Sequence, residues 1–279
     1  MILTTFFDFF CLTIGSNMPL LNNMKRYCCI PGVFLAVAVF LISCGDNVRP
    51  VEEDHTYILM GGLNKNLDDN SSIVEVYFER DLTIYTDAEI KINAIDVDYN
   101  AIRHRYIFQA DSSSALPAGA YALNVKDSSW FNYTFRDTVP SNFVISDIAL
   151  PENRVNAGGE PVQLIWQLSP HNDGYLVAVT QKDSAYIGEG WITFAESGFN
   201  QATIPPDAFR LSGDLDTAWY YVYVYSFTGS PSQSLVDLGL PVSLPSGFIP
   251  NINEQAIAGN FGVIVVSRRD SIHVTLQAL

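Results

Sequence analysis

The sequence predicts an all-β protein made of two tandem β-sandwich domains that follow an N-terminal signal helix. After residue 54, short runs rich in Val, Ile, Tyr and Phe recur at a spacing of roughly ten residues. Clusters of Gly, Pro, Asn, Asp and Ser separate these runs, and the 3.6-residue periodicity of amphipathic helices is almost absent. Short strands joined by such turns are typical of β-sandwiches.

Length and composition indicate a folded protein with a substantial core. The chain has 279 residues, of which 48% are hydrophobic and 16% charged, with 17 Phe, 14 Tyr and 4 Trp. This apolar surface suffices for two ordinary domains and excludes a disordered chain. The net charge of -15 repels phosphate backbones, so we expect no nucleic-acid partner.

All cysteines lie near the N-terminus, at Cys11, Cys28, Cys29 and Cys44. The part of the chain that follows has no thiol for an intramolecular disulfide or a zinc site. We therefore expect packing alone to stabilise the folded region.

Residues 24–43 have the three-part layout of a secretory signal peptide. The segment begins at Met24, continues with the basic pair Lys25 and Arg26, and then contains an apolar run that ends on the small residue Ser43. A charged start, a short apolar core and a small residue at the cleavage site are the features that define such signals.

The residues at the end of this signal, Leu41-Ile42-Ser43-Cys44, resemble the lipobox of bacterial lipoproteins. The resemblance implies that Cys44 becomes the new N-terminus and carries diacylglycerol and an acyl chain such as palmitate, an anchor that does not span the membrane. Gly45 stands where Asp is the familiar inner-membrane retention signal, which implies the outer membrane, on its periplasmic or external face. A plain transmembrane anchor is the alternative, but residues 27–43 are at the lower length limit for spanning.

Two segments flank the signal. Residues 1–23 fit no part of its layout and place Asp8 among aromatic residues, so we interpret them as an extension from a start codon assigned too far upstream. Residues 44–54 are polar and acidic, without periodicity, which is typical of a short tether.

The first predicted sandwich spans residues 55–141. In its "EIKINA" run, Ile90 and Ile92 share one face and charged residues the other, which is the alternation of a half-buried strand. A turn with Pro and Gly precedes the next strand run, "GAYALNV", which contains Tyr121. This run resembles the Gly-x-Tyr-x-Leu-x-Val signature of transthyretin-like surface domains.

The second predicted sandwich spans residues 142–245, after a Pro-marked linker. This part resembles a fibronectin type III module of the immunoglobulin-like class. The resemblance rests on the strand runs that contain Trp166 and Tyr175 and on a Tyr-x-Val-x-Val pattern that starts at Tyr220. The connection in "TIPPDAFRLSGDLDT" is longer and more polar than that family normally has.

Residues 246–279 contain two further strand runs, "FGVIVVS" and "SIHVTLQ", and we predict that they form a C-terminal β-hairpin. The whole layout resembles a group of uncharacterised Gram-negative surface lipoproteins, for which no activity is assigned. The resemblance therefore implies a location and an architecture, without a reaction.

The sequence contains no nucleophile elbow, zinc-protease motif, phosphate-binding loop or dinucleotide fingerprint. Its histidines are isolated along the chain, at His55, His104, His171 and His273. Acid pairs could supply oxygen ligands for calcium, but none completes a calcium loop. These pairs are Asp68 with Asp69, Asp96 with Asp98, and Asp214 with Asp216. We predict a protein that is not an enzyme and that has no catalytic residue, metal or cofactor beyond the lipid on Cys44.

One run, "AWYYVYVYSF", has the composition of a binding surface. If Tyr220, Val222 and Val224 face the core, strand alternation turns a row of aromatic residues to the other face. The row consists of Trp219, Tyr221, Tyr223, Tyr225 and Phe227. Aromatic rings stack on sugars, so the row is a candidate ligand platform. The alternative is that these rings pack under the terminal hairpin or against the first domain.

The predicted function is a lipid-anchored cell-envelope module that binds a glycan or a protein partner without catalysis. The main alternative is a structural accessory subunit of an outer-membrane complex. A hydrolase whose acid pair sequence spacing cannot locate is the third candidate.

Overall fold

The computed structural model describes residues 55–127, 131–150, 154–156, 159–182, 188–210 and 217–275. The predicted extension, the signal peptide with Cys44 and the tether lie outside these residues. Residues Asp54–Leu279 form one compact unit. Within the described ranges, no helix is long and apolar enough to cross a membrane.

Nearly all regular structure consists of β-strands. The strands of the first half are β1 (Tyr57–Asn66), β2 (Ser71–Arg80), β3 (Thr83–Ile84), β4 (Glu89–Ile92), β5 (Ile95–Asp96), β6 (Asp98–Asn100), β7 (Arg105–Ala110), β8 (Gly119–Lys126) and β9 (Asn132–Val139). Those of the second half are β10 (Ile145–Ala149), β11 (Arg154–Asn156), β12 (Val162–Trp166), β13 (Gly174–Gln181), β14 (Trp191–Glu196), β15 (Gln201–Ile204), β16 (Thr217–Gly229), β17 (Ile252–Asn253), β18 (Ile257–Asn260), β19 (Gly262–Val266) and β20 (Asp270–Thr275). Short 3-10 helices occupy Ser113–Ala115 and Pro206–Ala208.

The strands form one large sheet and two small ones. The large sheet runs from β14 through β13 and β16 to β19 and β20, and from β19 on to β1, β2, β7 and β6. The small sheets have the orders β5-β4-β8-β9 and β10-β12-β15. Each small sheet covers one part of the same face of the large sheet, so the predicted all-β sandwich fold is confirmed.

The first sandwich packs the β1-β2-β7 part of the large sheet against β4, β8 and β9. Leu59 and Val76 on one side and Ile92 and Leu123 on the other are at most 1% exposed. The alternation expected for the "EIKINA" run holds at Ile90 and Ile92, which are both buried. The transthyretin-like resemblance of this half stays a prediction.

The second sandwich packs β14-β13-β16-β20 against β10-β12-β15. Trp166 is fully buried and its ring centroid lies 5.2 Å from that of Tyr175 across the core. Tyr220 on β16 donates a hydrogen bond from its hydroxyl to the backbone carbonyl of Arg210, which resembles the tyrosine corner of immunoglobulin-like sandwiches. This arrangement agrees with a fibronectin type III-like module, although the boundaries predicted at residues 141 and 245 stay predictions.

The C-terminal strands join the two halves, and the predicted hairpin is wrong. Strand β19 runs parallel to β1, with Val263 opposite Leu63, and antiparallel to β16, with Val263 opposite Thr228. Strand β20 then continues in the same direction along β16. All five residues of β19, Gly262 and four apolar ones, are buried. A strand that is apolar on both faces is more stable between two strands of a sheet than in a hairpin at its edge.

The outer face of the large sheet is covered by residues 231–248, called the strap below. Alternate strap residues face the sheet and are at most 4% exposed: Val236, Leu238, Leu240 and Val242. They form a second apolar cluster with Ile264 and Val266 of β19. Asn64 on β1 donates a hydrogen bond from Nδ2 to the carbonyl of Leu238 at 2.7 Å, which fixes the path of the strap across the sheet.

Candidate functional site

The predicted aromatic row is only partly at the surface. Tyr223, Tyr225 and Phe227 are buried, at 4%, 0% and 9% exposure, while Trp219 is 47% exposed and Tyr221 is partly buried. The predicted inward set, with Tyr220 and its two valines, is buried as expected. A continuous exposed platform is therefore contradicted, because the strap covers three of the five rings. A role in ligand binding stays a prediction for the two rings that the strap does not cover, Trp219 and Tyr221.

The contacts of the aromatic row are mostly with other parts of the protein. The hydroxyl of Tyr225 accepts a hydrogen bond from the backbone N–H of Val242 in the strap at 3.0 Å. Burial raises the pKa of Tyr225, so this hydroxyl stays protonated. Arg269 lies over the ring of Tyr221, 4.5 Å from its centroid, and Trp219 packs against His273 with centroids 4.8 Å apart. The rings thus mainly stabilise the sheet. The buried ones are covered, as the alternative holds, but by the strap and not by the terminal hairpin or the first domain.

A cleft of about 700 Å³ opens between the strap and the part of the large sheet that contains β1 and β18. Such a volume is within the usual range for small-ligand sites. The cleft is lined from the sheet by Met60 and Asn260, and from residues 231–250 by Pro231, Ser232, Gln233, Ser234, Val236, Asp237, Ser243, Leu244, Pro245, Ser246, Gly247, Phe248 and Pro250.

One wall of the cleft is aromatic. Phe248 packs edge-to-face against Phe194 and Phe227, with ring centroids 5.4 Å and 5.2 Å apart. Phe194 on β14 is 46% exposed, and Ile249 beside Phe248 is 80% exposed. The buried Phe227 thus supports from below the ring that faces the cleft.

The other lining groups are mostly uncharged hydrogen-bonding groups. Ser232 and Ser234 lie within hydrogen-bond distance of each other, with their hydroxyl oxygens 3.1 Å apart. The side-chain oxygen of Gln233 accepts the backbone N–H of Leu244 at 2.8 Å, which holds the two ends of the strap together. Asn260 donates from Nδ2 to the hydroxyl of Ser230 at 2.9 Å. Hydroxyls and amides both donate and accept, so the cleft suits a neutral polyhydroxylated ligand.

Within the lining set, the charged residue is Asp237, and its backbone N–H is directed to the buried carboxylate of Glu75 at 2.6 Å. Its own Oδ1 accepts the N–H of Gly239 at 2.9 Å. The cleft therefore carries no cation for a phosphate or carboxylate group.

The structure places the acid pairs of the sequence in separate hydrogen bonds and ion pairs. Asp68 pairs with Arg269, Asp96 with Lys91, and Asp69 accepts hydrogen bonds from Ser71. Asp214 and Asp216 lie outside the described residues. Among the residues that are described, no group of three or more His, Cys, Asp or Glu side chains is arranged to hold a metal ion.

The cleft was not predicted from the sequence, although one signal for the strap exists. The stretch "VDLGLPV" has apolar residues at every second position, from Val236 to Val242. That alternation indicates an extended segment with one face against an apolar surface. It does not indicate which surface, because the strap makes no regular strand pairing that a hairpin turn would specify.

Comparisons with known proteins give fold-level likeness. No family model matches the chain, and no curated protein matches it. Among solved structures, fibronectin(III)-like modules of Clostridium thermocellum CbhA are 10% identical, with 78% of this chain and 90% of that chain covered and a TM-score of 0.29. The Yersinia pseudotuberculosis adhesin InvE is 11% identical, with 81% and 59% covered and a TM-score of 0.23. Surface layer protein SbsC, domains 4–9, is 11% identical, with 80% and 31% covered and a TM-score of 0.23.

Proposed function

We propose that this protein is a non-catalytic binding module of the cell envelope that holds a glycan in the cleft beside the strap. It is anchored by lipid on Cys44 to the outer membrane. The combination that supports this proposal is an aromatic ring, Phe248, next to serine hydroxyls and the amides of Gln233 and Asn260 in one cleft of about 700 Å³.

The chemistry of these groups matches that of a neutral sugar. A pyranose presents an apolar face of C–H groups, which packs on an aromatic ring, and a rim of hydroxyls, which need partners that both donate and accept. Phe248 is held in place by Phe194 and Phe227, so little side-chain freedom is lost when a ligand binds.

The proposal is tested by retention of the detergent-purified full chain on immobilised neutral polysaccharides. Ser234→Trp fills the cleft from its exposed rim without removing a core side chain, and we expect it to abolish retention. Phe199→Ala is the matched control, since Phe199 is 53% exposed and does not line the cleft. Equal retention of the two variants, or no retention of the parent chain on any neutral polysaccharide, contradicts the proposal.

The anchor has its own test. Cys44→Ser removes the thiol that forms the thioether, so we expect the protein to lose its lipid mass and to leave the membrane fraction. Mass spectrometry of the native N-terminus checks both the lipid and the processing after Ser43. A variant that keeps the same membrane association would show that a spanning segment, not a lipid, holds the protein.

A structural accessory role is the second candidate, and the edge of the large sheet favours it. Within the described residues, β14 pairs only with β13 and leaves its other edge unpaired. The strand carries the half-exposed Phe194 and ends on Glu196, its one charged residue. Such an edge can add a strand from a partner. Co-purification with an integral outer-membrane protein that Thr193→Pro abolishes and Ser234→Trp leaves intact would support this candidate over glycan binding.

A further inference from the structure

A second cavity, of about 270 Å³, lies where the two sandwiches meet, apart from the cleft beside the strap. Domain junctions are frequent places for small-ligand sites. The cavity is lined from the first half by Leu67, Asn70 and Ser113, and from the second by Asn142, Phe143, Val144, Gln167 and Arg268.

The apolar part of this junction pocket is well held. Phe143 is 2% exposed and packs edge-to-face on Tyr175, with centroids 5.9 Å apart. Leu67 donates its backbone N–H to the carbonyl of Val266 at 3.0 Å, which ties the β1-β2 turn to the end of β19. The lining residues thus lie outside the strands, in segments that flank β1, β10, β12 and β19 and are held by these contacts.

The polar side chains of the pocket have hydrogen-bond donors that no described residue uses. Asn70 uses its side-chain oxygen to accept the N–H and the hydroxyl of Ser113, at 3.3 Å and 2.8 Å, so its amide NH2 is the group left for a ligand. Gln167 is fixed through its backbone, which donates to the carbonyl of Val144 at 2.9 Å. With respect to the described residues, the side-chain amides of Gln167 and Asn142 are unbonded.

The charge of the pocket is opposite to that of the whole chain. The lining contains Arg268 and no acid, in a protein with 30 acidic and 15 basic residues. The neighbouring acids are already used: Asp68 pairs with Arg269 at 3.5 Å, and Asp69 accepts the N–H and hydroxyl of Ser71. Arg268 makes no ion pair with any residue that the structure describes, so its guanidinium is available to an anion.

We propose that the junction pocket binds a small ligand with a single carboxylate, of the size of one uronic acid. The guanidinium of Arg268 presents paired N–H groups that match a carboxylate, and the amides of Asn70, Asn142 and Gln167 match hydroxyls. The apolar surface of Phe143 and Val144 accepts the carbon skeleton. A volume of about 270 Å³ is just below the range of drug-sized ligand sites and fits one such ring, without an extended chain. This site is independent of the cleft beside the strap.

Isothermal titration of the full chain in detergent tests the proposal, with galacturonate as the probe and galactose as its neutral counterpart. We expect galacturonate to bind, galactose to bind at least about tenfold more weakly, and added salt to weaken the difference. Arg268→Gln should reduce galacturonate affinity about tenfold or more, because it removes a charge-assisted pair. Arg268→Lys should retain part of that affinity, since it keeps the charge and loses the planar fork.

Arg136→Gln is the matched control, since Arg136 is an exposed arginine on β9 that does not line the pocket. Ser234→Trp should leave galacturonate binding unchanged, which separates this site from the proposed glycan cleft. Equal affinities for the two sugars, an Arg268→Gln variant that binds like the parent, or no heat from galacturonate up to about 10 mM overturns the proposal.

Discussion

The carboxylate of Glu75 accepts a hydrogen bond from the backbone N–H of Asp237 at 2.6 Å, across 162 positions of sequence. Arg103 and Arg105 donate to the same carboxylate at 2.9 Å and 3.1 Å, and the Glu75 side chain is 0% exposed. The charge is thus neutralised by two guanidinium groups at the edge of the sheet. The contact of Asp237 with Glu75 anchors the first half of the strap to β2 and so helps to position the lining of the cleft.

We expect Glu75→Gln to lower the free energy of unfolding by about 1–3 kcal/mol, because Arg103 and Arg105 lose the buried carboxylate that neutralises them and the N–H of Asp237 loses a charged acceptor. Local proteolysis of the strap should also become faster, since Asp237 loses its strongest acceptor. Urea unfolding and limited proteolysis measure the two effects. Glu196→Gln, at an exposed position of β14, should stay within about 0.5 kcal/mol of the parent, and similar losses in both variants would contradict the assigned role of Glu75.

The two buried tyrosines Tyr121 and Tyr175 should respond differently to loss of the hydroxyl. Tyr175 accepts the backbone N–H of Ser169 at 2.6 Å, so Tyr175→Phe leaves a buried donor unpaired and should cost about 1–3 kcal/mol. The hydroxyl of Tyr121 is buried without a hydrogen-bond partner among the described residues. Tyr121→Phe should therefore be neutral or stabilising, by at most about 1 kcal/mol. Paired chemical denaturation curves check the contrast, and a larger loss at Tyr121 would show a bonded hydroxyl.

Gly259 should tolerate no side chain. Its φ is +145°, and an added Cβ would lie 1.7 Å from the backbone oxygen of Leu59 in the neighbouring parallel strand. Backbone conformation alone makes Gly259→Ala cost about 1–3 kcal/mol, and the overlap with β1 adds to it. Gly198→Ala is the control, because nothing lies within 4 Å of its Cβ position, and it should change stability by less than about 1 kcal/mol. Equal melting temperatures would refute the close β1-β18 contact.

Asp137 should make stability depend on pH. Burial raises the pKa of this carboxyl, and the nearby charge of Asp173 raises it further, although hydrogen bonds from Thr138 and Thr228 oppose the shift. A carboxyl whose pKa is higher in the folded state binds protons more tightly there, so its contribution to stability falls as pH rises from the unfolded pKa through the folded one. Above the folded-state pKa the buried carboxyl is ionised, and the full cost of burying its charge lowers the stability of the protein.

Replacement of Asp137 by asparagine, which has the same shape and no charge, tests this pH dependence. We expect Asp137→Asn to raise the urea midpoint at pH 7.5 more than at pH 4, since the asparagine keeps an acceptor and has no charge to bury. Asp147→Asn, at an exposed position of β10, is the control. A midpoint for Asp137→Asn that drops more at pH 7.5 than at pH 4 would mean that the carboxylate is stabilising as an ion.

Local patterns explain which parts of the fold could be predicted. The inward positions of Ile90, Ile92, Tyr220, Val222 and Val224 follow from the two-residue period of a strand, which depends on the backbone of that strand alone. The cleft could not be predicted in this way. Phe194 and Phe248 are more than fifty positions apart, and their contact depends on the path of the strap over the sheet.

The sequence by itself determined the all-β class and the faces of individual strands, because these depend on residues close together in the chain. Only the tertiary structure decided where β19 and the strap go. In a hairpin at the sheet edge β19 would pair on one side only, whereas between β1 and β16 its backbone pairs on both sides. The aromatic face of β16 suits water-exposed binding or burial, and the apolar side chains of the strap select burial because they remove both surfaces from water.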